Sequence, residues 1–277
     1  MVAVDVNISI KPYSPDVKKD WDMVLDNSIN GTFLHRREFI EYHGDRFEDA
    51  SVILYYKNRP VAIFPANKVD NRIFSHQGLS YAGLIVIKGV TFSKQKAIIE
   101  ALLEFFRMEG AVFLEIKFVP SIYCKESQDS LEYLWMQQGA KMAFSDLTYA
   151  IPHPSAQLGR TKRWKIRKSH LRGIEVRLSN NFKAFWEELL APNLMERFGL
   201  QPAHSLQEII HLNTLFPDSI KLFLAIENHE ILGGTCLFIT ERVTHAQYIA
   251  TSAKGKKYRA LDYLFNHLIH HEFKHLA

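Results

Sequence analysis

The chain has 277 residues, of which 47% are hydrophobic, and a formal net charge of +4. These values predict a soluble globular protein with one large domain or two smaller ones, and they exclude a protein whose whole surface binds nucleic acid. No segment has the roughly 18 consecutive apolar residues of a membrane span, and residues 1–16 lack the apolar core of a signal peptide, so we expect a cytoplasmic protein.

The first half of the sequence combines helical and strand patterns. The predicted helices cover 16–27, 36–42 and 93–108, and the predicted strands cover 51–58, 60–69, 71–76 and 111–119. Asn58 and Arg59 are expected to form the tight turn of a hairpin between the first two strands. The strand 111–119 is apolar enough to be central in a sheet.

The second half repeats this order of elements. Its predicted helices cover 182–190, 206–215 and 258–273, and its predicted strands cover 220–227, 230–240 and 242–250. The hairpin turn is expected at Asn228 and His229. When the halves are aligned on their hairpins, His76 corresponds to His245. The repeat predicts two lobes of one plan, 1–150 and 151–277.

The second lobe lacks a counterpart of the strand 111–119, because the chain ends at Ala277 after the long helix. Either the chain is a truncated piece of a longer protein, or something else completes the lobe. An incomplete sheet leaves an unpaired edge, so we expect reduced stability.

A basic stretch, 162–176, separates the two lobes. Lysine and arginine dominate it, and the pattern predicts a short helix that stops at Gly173 and is followed by an alternating strand. Trp164, Ile166 and Leu171 are expected to hold the helix against a core, which leaves its cations exposed to an anionic partner. A solvated helix face is the alternative interpretation.

Two shorter segments also contain candidate anion ligands. His35, Arg36 and Arg37 precede a predicted helix, and together they can hold a phosphate or a carboxylate. The loop 252–258 combines Gly255 with lysines where a helix begins, which is typical of a phosphate cradle. A plain polar loop is the alternative for this second segment.

Candidate catalytic side chains lie on or just after the third strand of each half. They are His76, Tyr81, His245, Gln247 and Tyr248. A histidine accepts a proton near neutral pH, and a tyrosine supplies a proton or a hydrogen bond to a leaving group. For each of them, a packed and hydrogen-bonded strand residue is the alternative interpretation.

The segment 271–275 matches the H-E-x-x-H pattern of zinc proteases on a predicted helix. Such a site needs a third ligand, usually downstream, where only two residues remain. The segment is also explained as the end of the long helix of the second lobe. We therefore expect no metal site, and adventitious metal binding by His267, His271 and His275 is the alternative.

The sequence resembles the FemAB-like proteins, which consist of two lobes of the GNAT acyltransferase type. The resemblance is carried by 31–39, similar to the family's early substrate-side helix, and by 75–83, similar to its Gly-rich turn. It is clearest in 162–176, similar to the family's basic helix that ends in Gly-hydrophobic-x-Val. The nearest likeness is to the acetyltransferase-like branch found among bacterial envelope polysaccharide genes.

This resemblance implies an α+β fold of two GNAT-like lobes, with mixed, mostly antiparallel sheets and flanking helices. It implies an N-acyltransferase that moves an acetyl or other acyl group from acyl-CoA to an amine of a sugar, a sugar nucleotide or another cell-envelope precursor. No tightly bound cofactor and no DNA partner are expected. One alternative is a transferase that uses aminoacyl-tRNA as its donor. The other is a catalytically inactive binding or scaffold protein.

The resemblance also implies roles for individual residues. His245 is the expected base, because no acidic residue stands out on the third strand of the second lobe, and Tyr248 and His76 complete the catalytic set. The expected donor-binding residues are Ser252, Lys254, Gly255, Lys256, Arg163 and Arg167. The expected acceptor-binding residues, near the cleft between the lobes, are Arg36, Arg37 and Tyr81. In the Gln/Arg-x-x-Gly-x-Gly/Ala turn that holds the pyrophosphate of CoA, only Gly255 matches.

Overall fold

The computed structural model describes residues 7–152, 159–170 and 173–274, and the chain divides into two compact units, Met1–Ser145 and Asp146–Ala277. Each unit combines mostly antiparallel sheets with helices, which confirms the predicted α+β class. Among the described residues, no helix is both long enough and apolar enough to cross a membrane.

The first unit contains two sheets of four strands within its described residues. The strands are β1 (Ile8–Pro12), β2 (Glu48–Asp49), β3 (Val52–Tyr56), β4 (Arg59–Phe64), β5 (Asn67–Val69), β6 (Arg72–Phe74), β7 (Ile85–Val86) and β8 (Phe113–Glu115). One sheet has the order β1-β3-β4-β7 and is antiparallel. The other has the order β2-β5-β6-β8, in which β6 and β8 run parallel.

The helices of the first unit cover one apolar core. They are α1 (Lys18–Asp26), α2 (Arg37–Glu41), α3 (Phe92–Met108) and α4 (Asp129–Gln137). Ile98, Leu102 and Phe106 recur at helical spacing on α3 and are buried against Leu54 and Phe64 of the first sheet. Each such side chain contributes about 1.5–3 kcal/mol by leaving water, so this face holds the helix on the sheet.

The hairpin turn of the first unit lies one residue earlier than predicted. Lys57 and Asn58, not Asn58 and Arg59, connect β3 to β4, and both have positive φ angles of 50° and 61°. Two central residues in the left-handed region define the type I′ turn, whose twist matches that of the flanking strands. Asn228 and His229 form the corresponding turn of the second unit, as predicted, with φ angles of 47° and 67°.

The strand predicted over 111–119 is short and lies at a sheet edge, not at a centre. Phe113–Glu115 form β8, which pairs on one side with β6, and beyond it Phe118 makes only an isolated parallel bridge to Ala82 among the described residues. Val112 and Phe113 are apolar but remain exposed. An apolar run can therefore lie at the edge of a sheet as well as at its centre. The prediction of a central strand was therefore wrong.

The second unit contains one sheet of four strands within its described residues. Its elements are α5 (Arg160–His170), β9 (Glu175–Ser179), α6 (Phe182–Ala184), a π-helical segment (Phe185–Leu190), α7 (Ala191–Phe198), α8 (Leu206–Leu215), β10 (Ile220–Glu227), β11 (Glu230–Ile239), β12 (Thr244–Thr251), α9 (Ala253–Tyr258) and α10 (Ala260–His267). The sheet order is β12-β11-β10-β9 and all its pairs are antiparallel. One face packs on α10, with Phe223, Leu232, Leu237, Leu264 and Leu268 in its core.

The long helix predicted over 258–273 begins earlier and is interrupted. Ser252 caps α9, and Arg259, at φ 59°, breaks the helix before α10 starts at Ala260. A π-helical turn, Leu268–Glu272, then ends α10. Among the residues described after this turn, up to 274, no strand follows.

The basic stretch forms α5 and is followed by β9, with Gly173 between them at φ 81°. Ile166 is buried as predicted, and Ser169 donates a hydrogen bond to the carbonyl of Tyr258 at 2.6 Å. Trp164 is 55% exposed, so it does not pin the helix to a core as predicted. Leu171 lies outside the described residues.

Candidate functional site

A β-bulge brings two predicted catalytic residues onto one face of the second sheet. His245 and Tyr248 are three positions apart on β12, a spacing that puts side chains on opposite faces of a regular strand. His245 pairs with Phe238 of β11, and Tyr248 pairs with Cys236, only two positions away. Since Phe238 and Cys236 share a face, His245 and Tyr248 share it too. The extra residue of the bulge, Gln247, leaves the regular ladder.

Tyr248 is held by a histidine that the sequence analysis missed. Its hydroxyl accepts a hydrogen bond from the backbone N–H of His204 at 3.1 Å and lies 2.5 Å from the Nδ1 atom of the same residue. Trp186 packs its ring edge against Tyr248 and donates its Nε1–H to the carbonyl of His204 at 3.0 Å. Burial raises the pKa of Tyr248 to about 12, which keeps the hydroxyl protonated near neutral pH.

His204 lies in the loop before α8, where no periodic pattern draws attention to it. The available signal was local: Ser205 follows directly and forms a capping box with Glu208, which fixes the start of α8. Because the start of α8 is fixed by this capping box, the backbone of the preceding residue, His204, is fixed as well. The ring of His204 also lies 6.0 Å from that of Phe238, on the face shared with His245.

His245 has the protonation state that a base requires. Its side chain is exposed, yet the surrounding protein withdraws part of its hydration and lowers the pKa of the imidazole below its ordinary value. The ring is therefore neutral near pH 7 and can accept a proton.

The outer edge of β12 carries backbone groups that the ladder does not use. Ser252 donates its N–H to the carbonyl of Leu232 at 2.9 Å. Hydrogen bonds alternate along an antiparallel pair, so the N–H and C=O groups of Ile249 and Thr251 point away from β11. In the described part of the chain, no strand pairs with this edge. An extended chain can therefore add to it.

The edge of β12 ends at the start of α9. The Ser252 hydroxyl accepts the N–H of Gly255 at 3.0 Å and donates to Leu232. A Cβ atom at Gly255 would lie 1.9 Å from the Leu232 carbonyl oxygen, so only glycine lets the turn pack this closely on β11. The first N–H groups of α9, from Ala253 and Lys254, have no acceptor within the helix.

The two lysines of this turn differ in their availability. Lys254 forms ion pairs with Glu227 at 2.9 Å and with Glu230 at 2.5 Å, and these carboxylates raise the pKa of its amine. Its charge is thereby neutralised within the second unit. Lys256 is exposed and forms no ion pair with the described residues. Arg163 and Arg167 are exposed on α5.

Arg36 and Arg37, predicted to bind the acceptor, already have partners within the first unit. Arg36 forms ion pairs with Asp22 and Asp26. Arg37 is buried, and its guanidinium pairs with Glu41 at 3.0 Å and with Asp49 at 2.6 Å. It also stacks 3.7 Å from the ring centroid of Tyr13. These contacts hold α2 in place.

His76 and Tyr81 are buried side chains of the first unit. His76, at φ 57°, stacks on His43 with the ring centroids 5.4 Å apart, and burial lowers its pKa to about 4. The Tyr81 hydroxyl donates to the Thr32 hydroxyl at 3.3 Å, and its ring packs on Tyr123. The face of β12 that carries His245 and Tyr248 belongs to the second unit, whereas His76 and Tyr81 belong to the first.

The H-E-x-x-H match lies only partly within the described residues. His271 and Glu272 belong to the π-helical turn, which ends at Glu272, and His275 lies outside the described residues. In the part of the chain that the structure describes, no three His, Cys, Asp or Glu side chains are arranged to hold a metal ion.

Comparison with known proteins agrees with this architecture. No protein-family model matches the chain, and no curated protein matches its sequence. Among solved structures, FemX superposes with a TM-score of 0.64 and 12% identity, over 96% of this chain and 86% of FemX. The C-terminal domain of a putative lysylphosphatidylglycerol synthetase from Agrobacterium fabrum gives a TM-score of 0.48 and 11% identity, over 92% of this chain and 74% of that domain. The chain therefore has the fold of FemX, and the FemAB-like, two-lobed GNAT fold predicted from the sequence is confirmed.

Proposed function

We propose that the second unit is an N-acyltransferase that uses an acyl-CoA as its donor. The observation that carries this proposal is the open edge of β12. This strand carries His245 and Tyr248 on one face, and it ends at Ser252, the residue that caps α9. The pantetheine arm of CoA is an extended chain with two amide groups. Such a chain can pair with an open strand edge as a peptide strand does.

A donor paired with the edge of β12 gives each residue near the bulge a task in the transfer. His245 takes a proton from the acceptor amine, whose nitrogen then bonds to the acyl carbon while the carbon–sulfur bond breaks. The hydroxyl of Tyr248 supplies a proton to the departing sulfur, and His204 holds that hydroxyl in place. Outward backbone N–H groups on the open edge of β12 can stabilise the negative charge that develops on the carbonyl oxygen.

Few free positive charges near the start of α9 are available to bind the phosphates of the donor. The N–H groups at the start of α9 and the amine of Lys256 face it, together with the exposed Arg163 and Arg167 if the donor reaches α5. Lys254 contributes little, because Glu227 and Glu230 already neutralise it. Binding should therefore depend only modestly on salt concentration.

The acceptor follows from the sequence resemblance alone. We propose an amine of a sugar or of a cell-envelope precursor. The cytoplasmic location stays a prediction.

A second donor is favoured by one observation. Arg163 and Arg167 are exposed on α5, and such cations suit the phosphates of an aminoacyl-tRNA as well as those of CoA. Salt concentration separates the two donors, because tRNA binding should weaken steeply with ionic strength. A steep salt dependence together with no response to acetyl-CoA would favour aminoacyl-tRNA.

The proposal is tested by donor binding to two variants at one position. Ile249→Pro removes an outward N–H without removing a ladder hydrogen bond, and proline is tolerated at such an edge position. Ile249→Val is the matched control, because it keeps that N–H. Acetyl-CoA should raise the unfolding midpoint of the wild type and of Ile249→Val by several degrees.

For Ile249→Pro we expect about tenfold weaker binding in calorimetry, the loss of roughly one hydrogen bond. UDP-amino sugars and tRNA are added separately as comparison ligands. If acetyl-CoA bound wild type and Ile249→Pro equally, or bound neither, the proposed donor site would be wrong.

A further inference from the structure

The open edge of β12 has a counterpart in the first unit. The sheets β1-β3-β4-β7 and β9-β10-β11-β12 have the same order, and all their pairs are antiparallel. Both contain a hairpin, β3–β4 or β10–β11, with a bulge after the second residue pair from the turn. The last strand of the sheet, β7 or β12, pairs with the second strand of this hairpin. β7 is therefore the counterpart of β12.

One hydrogen bond in each unit fixes this correspondence residue by residue. Ile87 donates its N–H to the carbonyl of the extra residue in the β4 bulge at 3.0 Å. Ser252 donates its N–H to the carbonyl of the extra residue in the β11 bulge at 2.9 Å. The residues one position earlier, Val86 and Thr251, therefore correspond as well, and both have backbone groups that point away from the hairpin.

In the first unit, this outer edge is already paired with residues 27–30, the closing segment. The carbonyl of Val86 accepts the N–H of Ile29 at 3.0 Å, and the N–H of Val86 donates to the side-chain oxygen of Asn30 at 3.2 Å. The side-chain nitrogen of Asn30 donates to the carbonyl of Leu84 at 2.9 Å. The carboxamide of Asn30 thus pairs with the strand as a peptide group does.

The closing segment is a fixed part of the first unit. Residues 28–30 are buried. On the side away from β7, the carbonyl of Ile29 accepts the N–H of Lys125 at 2.6 Å, and the side chain of Asn30 donates to that of Gln128 at 3.2 Å. A ligand that entered this edge would have to break several buried hydrogen bonds, and each group left unpaired opposes its entry.

We propose that the closing segment takes, in the first unit, the place that the acyl donor takes in the second, so that each chain binds one donor and the first unit binds none. This inference rests on the donor site proposed at β12. The two amides of the pantetheine arm offer the same C=O and N–H groups as the closing segment. Val86 already uses both of its outward groups, whereas among the described strands none pairs with the outer edge at Thr251.

The test is the number of acetyl-CoA molecules bound per full chain, measured by titration calorimetry. We expect one per chain. Two per chain would overturn this inference and leave the donor site at β12 in place. If acetyl-CoA did not bind, the proposed function would fail, and this inference would fail with it.

Hydrogen–deuterium exchange of the free protein compares the two edges directly. The amide of Val86 should exchange at least about tenfold more slowly than that of Thr251, because Asn30 already accepts its N–H. Saturating acetyl-CoA should slow Thr251 and bring the two amides closer together. Equal protection of Val86 and Thr251 in the free protein would contradict a first edge that is closed and a second that is open.

Asn30→Ala tests the role of the side-chain carboxamide. The variant leaves the N–H of Val86 without its acceptor, so this amide should exchange about tenfold faster, while the affinity for acetyl-CoA stays that of the wild type. Asn27→Ala is the matched control, because Asn27 pairs with Lys88 through its backbone carbonyl, which alanine retains. Unchanged exchange of Val86 in folded Asn30→Ala would contradict the proposed closure. If Asn30→Ala did not fold, the number of donors bound by the wild type would still decide.

Discussion

Tyr248 and His204 form the main polar contact of the candidate site, and it depends on a local irregularity. The bulge at Gln247 puts Tyr248 on the same face of the sheet as His245. Trp186, from the π-helical segment, packs against Tyr248 on this face. The sequence indicated His245 and Tyr248 only as candidates, from their place on the strand that follows a clear hairpin. It could not identify the bulge, since one extra residue in a ladder leaves the surrounding alternation almost unchanged.

Replacing Tyr248 by phenylalanine should separate the catalytic role that we propose for it from its structural role. The variant leaves the buried N–H of His204 without its acceptor, which should lower the free energy of unfolding by about 1–3 kcal/mol. The rate of transfer should fall about 100-fold, with donor affinity unchanged. Tyr263→Phe, on α10, is the control. Equal transfer rates for Tyr248→Phe and the wild type, measured well below the unfolding midpoint, would remove Tyr248 from the mechanism.

The buried histidines of the first unit should make the protein sensitive to acid. Burial lowers the pKa values of His35 and His76 to about 4, whereas an unfolded chain has values near 6.5. Between these values the unfolded state binds more protons, so the free energy of unfolding should fall as pH decreases from about 6.5 to about 4, by on the order of 2–3 kcal/mol per histidine.

Urea unfolding at several pH values measures this effect. His76→Asn, which suits the left-handed backbone at this position, should flatten the pH dependence. His229→Asn, also at positive φ but exposed in a turn, should leave it unchanged. If the unfolding free energy of the wild type, His76→Asn and His229→Asn changed equally with pH, His76 would not contribute to the acid sensitivity.

At the scale of elements, capping and packing decided where the sequence predictions succeeded. The predicted helix 206–215 has the observed bounds of α8, because its capping box is visible in the sequence. The helix predicted over 258–273 was misplaced, because Arg259 adopts a left-handed conformation that only its tertiary setting imposes. One of the expected anion ligands, Lys254, is neutralised by ion pairs with Glu227 and Glu230. The sequence did not predict these pairs, because the partners lie far from Lys254 in the chain.

Gly255→Ala tests the close packing of α9 on β11. A methyl group 1.9 Å from a backbone carbonyl oxygen cannot be accommodated by side-chain movement, so the turn must shift. We expect a loss of at least about 2 kcal/mol in unfolding free energy, together with weaker donor binding. Gly159→Ala is the control, since nothing lies within 4 Å of its added Cβ. A stability of Gly255→Ala equal to that of the wild type would contradict this packing.

At the scale of the whole molecule, the repeat in the sequence was the strongest predictor. Two hairpins with matching turns, each followed by a third strand and a helix, predicted two lobes of one plan, and the fold shared with FemX confirms it. The sequence could not show that Arg36 and Arg37 are used within the first unit, since their partners lie on other elements. It also could not show which strand edges stay open.

The most direct test of the central claim is hydrogen–deuterium exchange of individual β12 amides, with and without acetyl-CoA. The N–H groups of Ile249 and Thr251 point away from β11 and should exchange rapidly in the free protein. Saturating acetyl-CoA should slow both by at least about tenfold, whereas Ala250, already in the ladder, should change little. Unchanged exchange of Ile249 and Thr251 under saturating acetyl-CoA would contradict the account.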